Sequence, residues 1–169
     1  MLEGNYVEKD AKEVELSGKS FDDVKAFLRS FYPNMEHPLN ESNVLQVYPL
    51  AHEYQMPLLQ KCEEILLQNA SIFGHGGRCP NLLIKYLCLA EKFNIEKVLT
   101  TAMETAAHTE FSSLLSDENI REYSLLSEKT RLQIAERRIE LLEKKESSRM
   151  DKSRDFPKLL FGVRRSYCQ

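Results

Sequence analysis

Apolar residues along most of this chain recur at helical spacing. Phe21, Val24, Leu28 and Phe31 fall at i, i+3, i+7 and i+10, which predicts a helix burying that face. Ser20, with Asp23 three residues on, is the expected N-cap. Pro33 stops the helix, because the residue before a proline disfavours the α region. Ahead of it, Val14-Glu15-Leu16 alternates apolar and polar as a single short strand does. After a loop from Asn34 to Asn40, Asn40 or Ser42 caps a second helix whose buried face is Val44, Val47, Tyr48, Ala51 and Tyr54 or Gln55. Pro49 lies inside that pattern and is expected to kink it. A third helix starts near Pro57 and sets Leu59, Cys62 and Leu66 on one side.

The run from Ser71 to Pro80 breaks the helical period and holds three of the six glycines, so it predicts a linker. Beyond it, Leu82, Leu83, Tyr86, Leu87 and Ala90 make one helix face. Val98, Leu99, Ala102, Met103 and Ala106 make the next, and the short turn Phe93-Asn94-Ile95 makes the two an antiparallel pair. Shorter helical pieces carry Phe111, Leu114 and Leu115, then Ile120, Tyr123, Leu125 and Leu126. Ser127 caps the longest helix, expected to reach about Lys145. Its Leu132, Ala135, Ile139 and Leu142 step by 3, 4 and 3. About two heptads fall short of the three or four that argue for a coiled coil, so packing on the preceding helices is the expected use. From Glu146 the pattern dissolves into a tail with six basic and three acidic residues and an apolar patch from Phe156 to Phe161, read as disordered.

A chain of 169 residues, 42% hydrophobic and 29% charged, has material for one or two small cores. A net charge of −3 gives no reason to expect nucleic acid as a partner, and no apolar run is long enough to span a bilayer. The start, Met1-Leu2-Glu3-Gly4-Asn5, has neither the basic and apolar regions of a signal peptide nor the glycine that myristoylation needs. Cys62, Cys79, Cys88 and Cys168 show no short repeated spacing and read as reduced thiols, which points to the cytoplasm or nucleus.

Enzyme signatures are absent: no G-x-S-x-G, P-loop, G-x-G-x-x-G or H-E-x-x-H occurs. Gly74-His75-Gly76-Gly77 reads as a loop without a nucleophile to serve. His75 and Cys79, with Cys62 or Cys88, sketch a metal site, yet zinc usually takes two close ligand pairs and only one is present. The expectation is therefore a non-enzyme with no cofactor and no metal. Glu63-Glu64 and Asp22-Asp23 read as solvated faces, His52 and His108 as a helix-surface and a turn residue. Arg137-Arg138 reads as one side of i,i+4 ion pairs along the helix, and Arg164-Arg165 as weak evidence for an acidic partner.

The order Val14-Glu15-Leu16, then Phe21-Asp22-Asp23-Val24 to Phe31-Tyr32-Pro33, then Leu50-Ala51-His52-Glu53-Tyr54 and Leu58-Leu59 up to Cys62-Glu63-Glu64, resembles the C-terminal half of a BTB/POZ domain. The closest flavour is that of animal MATH–BTB adaptors of cullin-3 ubiquitin ligases. The helix pair from Leu82 to Ala106 resembles a BACK-like extension. The resemblance implies a mainly α (α+β remnant) fold, divided into a truncated BTB/POZ domain over 1–70, a linker over 71–80, a BACK-like helical region over 81–145 and a tail over 146–169. It also implies that the first strands and helices, used by family members for homodimerisation, are missing. The interval from Tyr54 to Cys62 is slightly short against the family pattern. No MATH, kelch or zinc-finger module is visible to select a substrate.

In that family a hydrophobic-x-glutamate motif before the Val-Glu-Leu strand contacts the cullin. Tyr6-Val7-Glu8 stands at the matching distance, its other reading being a plain loop. The tyrosine ending the helix and the loop after it also face the cullin, which assigns Tyr32, Asn34 and Met35 to the protein-binding edge. Tyr32 reads equally as a helix-end packing residue. The expected function is thus a non-enzymatic protein–protein interaction module with a cullin-3-type scaffold as partner. The alternative is a structural helical protein that self-associates through the exposed half-domain face or the Leu132–Leu142 stripe, with no ligase role.

Overall fold

The computed structural model describes residues 16–32, 37–72 and 79–154, the last four by backbone alone. Among these residues the chain forms eight helices and no strand: α1 (Phe21–Phe31), α2 (Val44–Glu53), α3 (Leu58–Ile72), α4 (Pro80–Lys92), α5 (Glu96–His108), α6 (Phe111–Leu114), α7 (Ile120–Ser124) and α8 (Glu128–Arg154). The mainly α class is as expected. Of the expected strand, Val14 and Glu15 lie outside the described residues. Leu16 is exposed and opens a turn closed by the Lys19 amide, in which Gly18 takes φ +72°. The chain divides into two compact units, Met1–Asn69 and Ala70–Gln169.

In the first unit α1 packs against α2. Asp22 and Asp23 in its first turn and Arg29 in its last suit the helix dipole. Ser20 occupies the N-cap position as expected, without a side-chain cap bond. The buried residue of α1 is Phe27, not the stripe predicted from spacing. Phe21, Leu28 and Phe31 are exposed, because α2 meets the flank of the stripe, where Phe27 lies about 40° round the helix from Phe31. Phe27 meets Tyr54 with the rings tilted by 32° and their centroids 6.0 Å apart, and Lys19 pairs with Glu53, the residue before Tyr54.

Asn40 leads into α2: its side-chain oxygen accepts from the Ser42 amide and hydroxyl, and its amide donates to the Asn43 side chain. Val44, Val47, Tyr48 and Ala51 are buried as expected, with Leu50 added. Tyr54 and Gln55 are exposed instead, because the helix ends there. The helix continues through Pro49 to Glu53. It stops in a Schellman motif, with the Met56 amide donating to Ala51 and the Gln55 amide to His52 while Gln55 takes φ +50°. Tyr48 donates to Glu63 of α3 at 3.3 Å. Cys62 and Leu66 are fully buried on α3.

Helix α3 runs to Ile72 and α4 begins at Pro80, so the break is narrower than the expected 71–80. Residues 73–78, including His75, lie outside the described ones. In the second unit α4 packs on α5, α6 and α7, and α5 packs on α8. The α4–α5 connection repeats the Schellman geometry: Ile95 donates to Ala90, Asn94 to Glu91, and Asn94 takes the left-handed conformation that asparagine tolerates. Leu83, Tyr86, Leu87 and Ala90 are buried, joined by Ile84. Val98, Ala102 and Ala106 are buried on α5, whose small residues permit close approach. Thr105, also buried, donates to the Ala70 carbonyl at 2.8 Å.

Ser127 caps α8 as expected, its hydroxyl accepting from the Thr130 amide. The carboxylate that completes the box comes from α4. Glu91 accepts from the Ser127 amide at 3.0 Å, from its hydroxyl at 2.5 Å, and from the Thr130 hydroxyl. Burial alone would raise the Glu91 pKa, but these bonds outweigh it and hold the carboxyl below its usual range. Further along, Arg137 grips Glu104 of α5 with two bonds of 2.6 and 2.9 Å and reaches Glu140 at 2.7 Å. Arg138 donates to the Ala106 carbonyl and lies over the Phe111 ring. The two arginines therefore tie helices together, rather than serving only pairs along α8.

These anchors turn Thr130 and Ile134 inward, and both are buried. The expected packing of Leu132, Ala135, Ile139 and Leu142 on the preceding helices does not occur. Leu132, Ile139 and Leu142 are 59%, 56% and 53% exposed; Leu132 and Ile139 lie roughly 140–160° round the helix from Ile134, and Leu142 roughly 80°. The helix also extends past the expected end at Lys145 to Arg154, because residues 146–154 hold no proline or glycine. Residues 155–169, with the Phe156–Phe161 patch, Arg164, Arg165 and Cys168, lie outside the described ones.

This orientation of α8 has a measurable consequence. Ile134→Ala should lower the unfolding free energy by about 2–5 kcal/mol in urea titrations, while Ile139→Ala should change it by less than ~0.5 kcal/mol. The reverse order would mean that α8 packs through its heptad stripe.

Candidate interaction surface

The first unit presents apolar side chains that its own helices do not cover. On α1, Phe21 is 76% exposed, with Leu28 and Phe31 along the same face. Tyr32 follows as the C-cap, its amide donating to Leu28 at 3.0 Å, and is half exposed. Phe31 and Tyr32 meet edge to face, ring centroids 5.6 Å apart at 75°. Two aromatics in edge-to-face contact at a helix end hold each other in place.

Of the five protein-binding residues expected from sequence, Tyr32 lies within the described residues, half exposed at the end of α1 and in contact with Phe31. Tyr6, Glu8, Asn34 and Met35 lie outside the described residues. Sequence reasoning missed that Phe21, Leu28 and Phe31 would share the surface with Tyr32. A signal existed: with Phe27 and Ala26 as well, α1 carries more apolar residues than one neighbouring helix can bury.

Chemistry elsewhere is structural. Among the described residues no group of three or more His, Cys, Asp or Glu side chains stands close enough to hold a metal ion. Of the residues in the sketched metal site, Cys62 is buried, Cys79 is exposed at the start of α4 and Cys88 is partly covered. Burial, followed by the nearby Glu63, pushes the Cys62 thiol up to about 11. Burial, then Glu122 and Glu91, does the same for Cys88, also to about 11. Both are held as neutral thiols and are poor nucleophiles. His52 lies against the Tyr48 ring, and His108 faces Glu104 at 3.4 Å. No helix among the described residues is long and apolar enough to cross a membrane.

Residues 1–70 match the family model of the BTB/POZ domain. The matched span coincides with the first compact unit, Met1–Asn69, to within one residue. A BTB/POZ domain is a protein–protein interaction module and not an enzymatic family. No curated protein and no solved structure matches the chain.

The thiol environments can be checked directly. In a Cys168→Ser background, exposed Cys79 should react with a water-soluble disulfide reagent at pH 8 far faster than Cys62 and Cys88. A thiol raised from its ordinary value to about 11 keeps roughly 100-fold less thiolate at pH 8. The gap should narrow as the pH approaches 11, where the buried thiols ionise. Equal rates for all three at pH 8 would contradict the burial described.

Proposed function

We propose that the chain is a non-enzymatic adaptor whose first unit docks a protein partner through the α1 face and the Phe31–Tyr32 pair. The observation that carries this reading is the exposure of that braced aromatic pair within the residues that match the BTB/POZ domain. An interface centre needs a large apolar or aromatic anchor that becomes dry on binding, and α1 offers one flanked by polar and charged residues such as Asp22, Lys25 and Arg29. No side chain of the second unit supplies a competing catalytic arrangement among the described residues.

The partner best suited to this reading is a cullin-3-type scaffold. The support is the sequence resemblance to cullin-3 adaptors, in which Tyr6, Glu8, Tyr32, Asn34 and Met35 match the cullin-facing edge. In the same reading α4 and α5 form a BACK-like extension that lengthens the contact, and the adaptor works in the cytoplasm or nucleus. Substrate selection would then rest with another module or another chain.

Binding of the purified full chain to a cullin-3 N-terminal domain, followed by calorimetry, tests the proposal. Tyr32→Ala should raise the dissociation constant by about 10-fold or more, with far-UV circular dichroism unchanged because Tyr32 is half exposed. Tyr6→Ala and Glu8→Ala should also weaken binding. A folded chain that does not bind the cullin removes the ligase role and leaves the interaction-module reading standing.

A further inference from the structure

We propose that α8 pairs with the α8 of a second copy of this chain, in parallel and in register, through the stripe Leu132, Ala135, Ile139 and Leu142. The inference stands apart from the docking face on α1 and uses only the second unit. Three observations carry it.

The first is exposure without freedom to turn. Leu132, Ile139 and Leu142 are each more than half exposed, although a 3-4-3 spacing is that of a seam between two helices. Rotation inward is prevented on the packed side of α8, where Ile134 and Thr130 are buried, Thr130 is held by Glu91 and Arg137 is tied to α5, while Arg138 at its edge donates to the Ala106 carbonyl. Among the described residues, none of its own unit covers the stripe.

The second is the shape of the seam. With Leu132 and Ile139 at one inner position and Ala135 and Leu142 at the other, a β-branched residue precedes leucine in the second heptad. That pattern favours two parallel strands. Ala135 lets the axes approach closely.

The third is charge, and it selects both occupant and direction. Arg131, Arg138 and Lys145 lie along one flank of the stripe, and Glu136 and Glu143 along the other. In a parallel pair each flank residue faces the partner residue five positions later, so Arg131 meets Glu136 and Arg138 meets Glu143, each twice by the two-fold symmetry. In an antiparallel pair the arginine flanks would face each other, and so would the glutamates. Arg131 and Arg138 are partly exposed; Arg138 spends one nitrogen on the Ala106 carbonyl and lies over the Phe111 ring, so it reaches a partner only with the donors left over. A second copy of this chain is thus the partner whose charge pattern fits. Glu146 takes the next inner position and ends the apolar seam after two heptads, so the pairing is reversible and depends on concentration.

Sedimentation equilibrium on the full chain tests this. The mass should rise from 19.6 kDa toward twice that value with increasing concentration. Ile139→Glu should raise the dimer dissociation constant by 10-fold or more. The double variant Glu136→Lys, Glu143→Lys should do the same at low salt, because both flanks then become basic. An antiparallel pair would be indifferent to that exchange, its flanks facing like charges before and after. All these positions are exposed, and far-UV circular dichroism should match the parent chain. A mass that stays monomeric at every concentration, a dimer that survives Ile139→Glu, or a dimer indifferent to the charge exchange would each overturn the proposal.

Discussion

Where α8 begins, the Glu91 carboxylate accepts from the Ser127 backbone and hydroxyl and from the Thr130 hydroxyl, and the rest of the second unit depends on that contact. It places a negative charge at the N-terminus of the longest helix, where the helix dipole favours one, and it satisfies groups that the helix leaves without internal partners. It also fixes the rotation of α8 about its axis. With Thr130 turned to Glu91, Ile134 faces inward one turn later, and Arg137 and Arg138 reach Glu104 and Ala106 a turn beyond that. The apolar stripe then has only one direction left, which is outward.

The first unit follows a similar logic at a smaller scale. Burying Phe27 near Tyr54, with Lys19 paired to Glu53, commits α1 to show Phe21, Leu28 and Phe31 to solvent. Each unit thus spends one side of an amphipathic helix on its own core and leaves a second apolar face available. Exposed contiguous apolar faces of this kind mark interaction surfaces. An adaptor reading for the first unit and a self-pairing reading for α8 are two uses of the same physical situation.

Much of the fold was legible in the sequence. The α2 face, the α4–α5 pair and the Ser127 cap follow from periodicity, a three-residue turn and a capping serine, all of which are local signals. What periodicity could not reveal is which side of a helix its neighbours would take. On α8 the heptad pattern of Leu132, Ala135, Ile139 and Leu142 was correct, but polar anchors separated by more than 30 residues in sequence decided against burying it. On α1 the helix was correct, but the buried residue was Phe27, beside the expected stripe. Helix α8 also outran its apolar pattern, because glutamate, lysine and arginine sustain a helix without an apolar face to bury. Of the candidate binding residues only Tyr32 could be located, and the aromatic pair it forms with Phe31 was not foreseeable from spacing.

The central claim is that these helices hold their apolar stripes outward while a different side chain fills each core. Residue-resolved radical footprinting of the dilute, monomeric chain tests it most directly. The account predicts strong labelling of Phe21, Phe31, Leu132, Ile139 and Leu142, with Phe27 and Ile134 protected. Protection of Leu132, Ile139 and Leu142 together with strong labelling of Ile134 would contradict it.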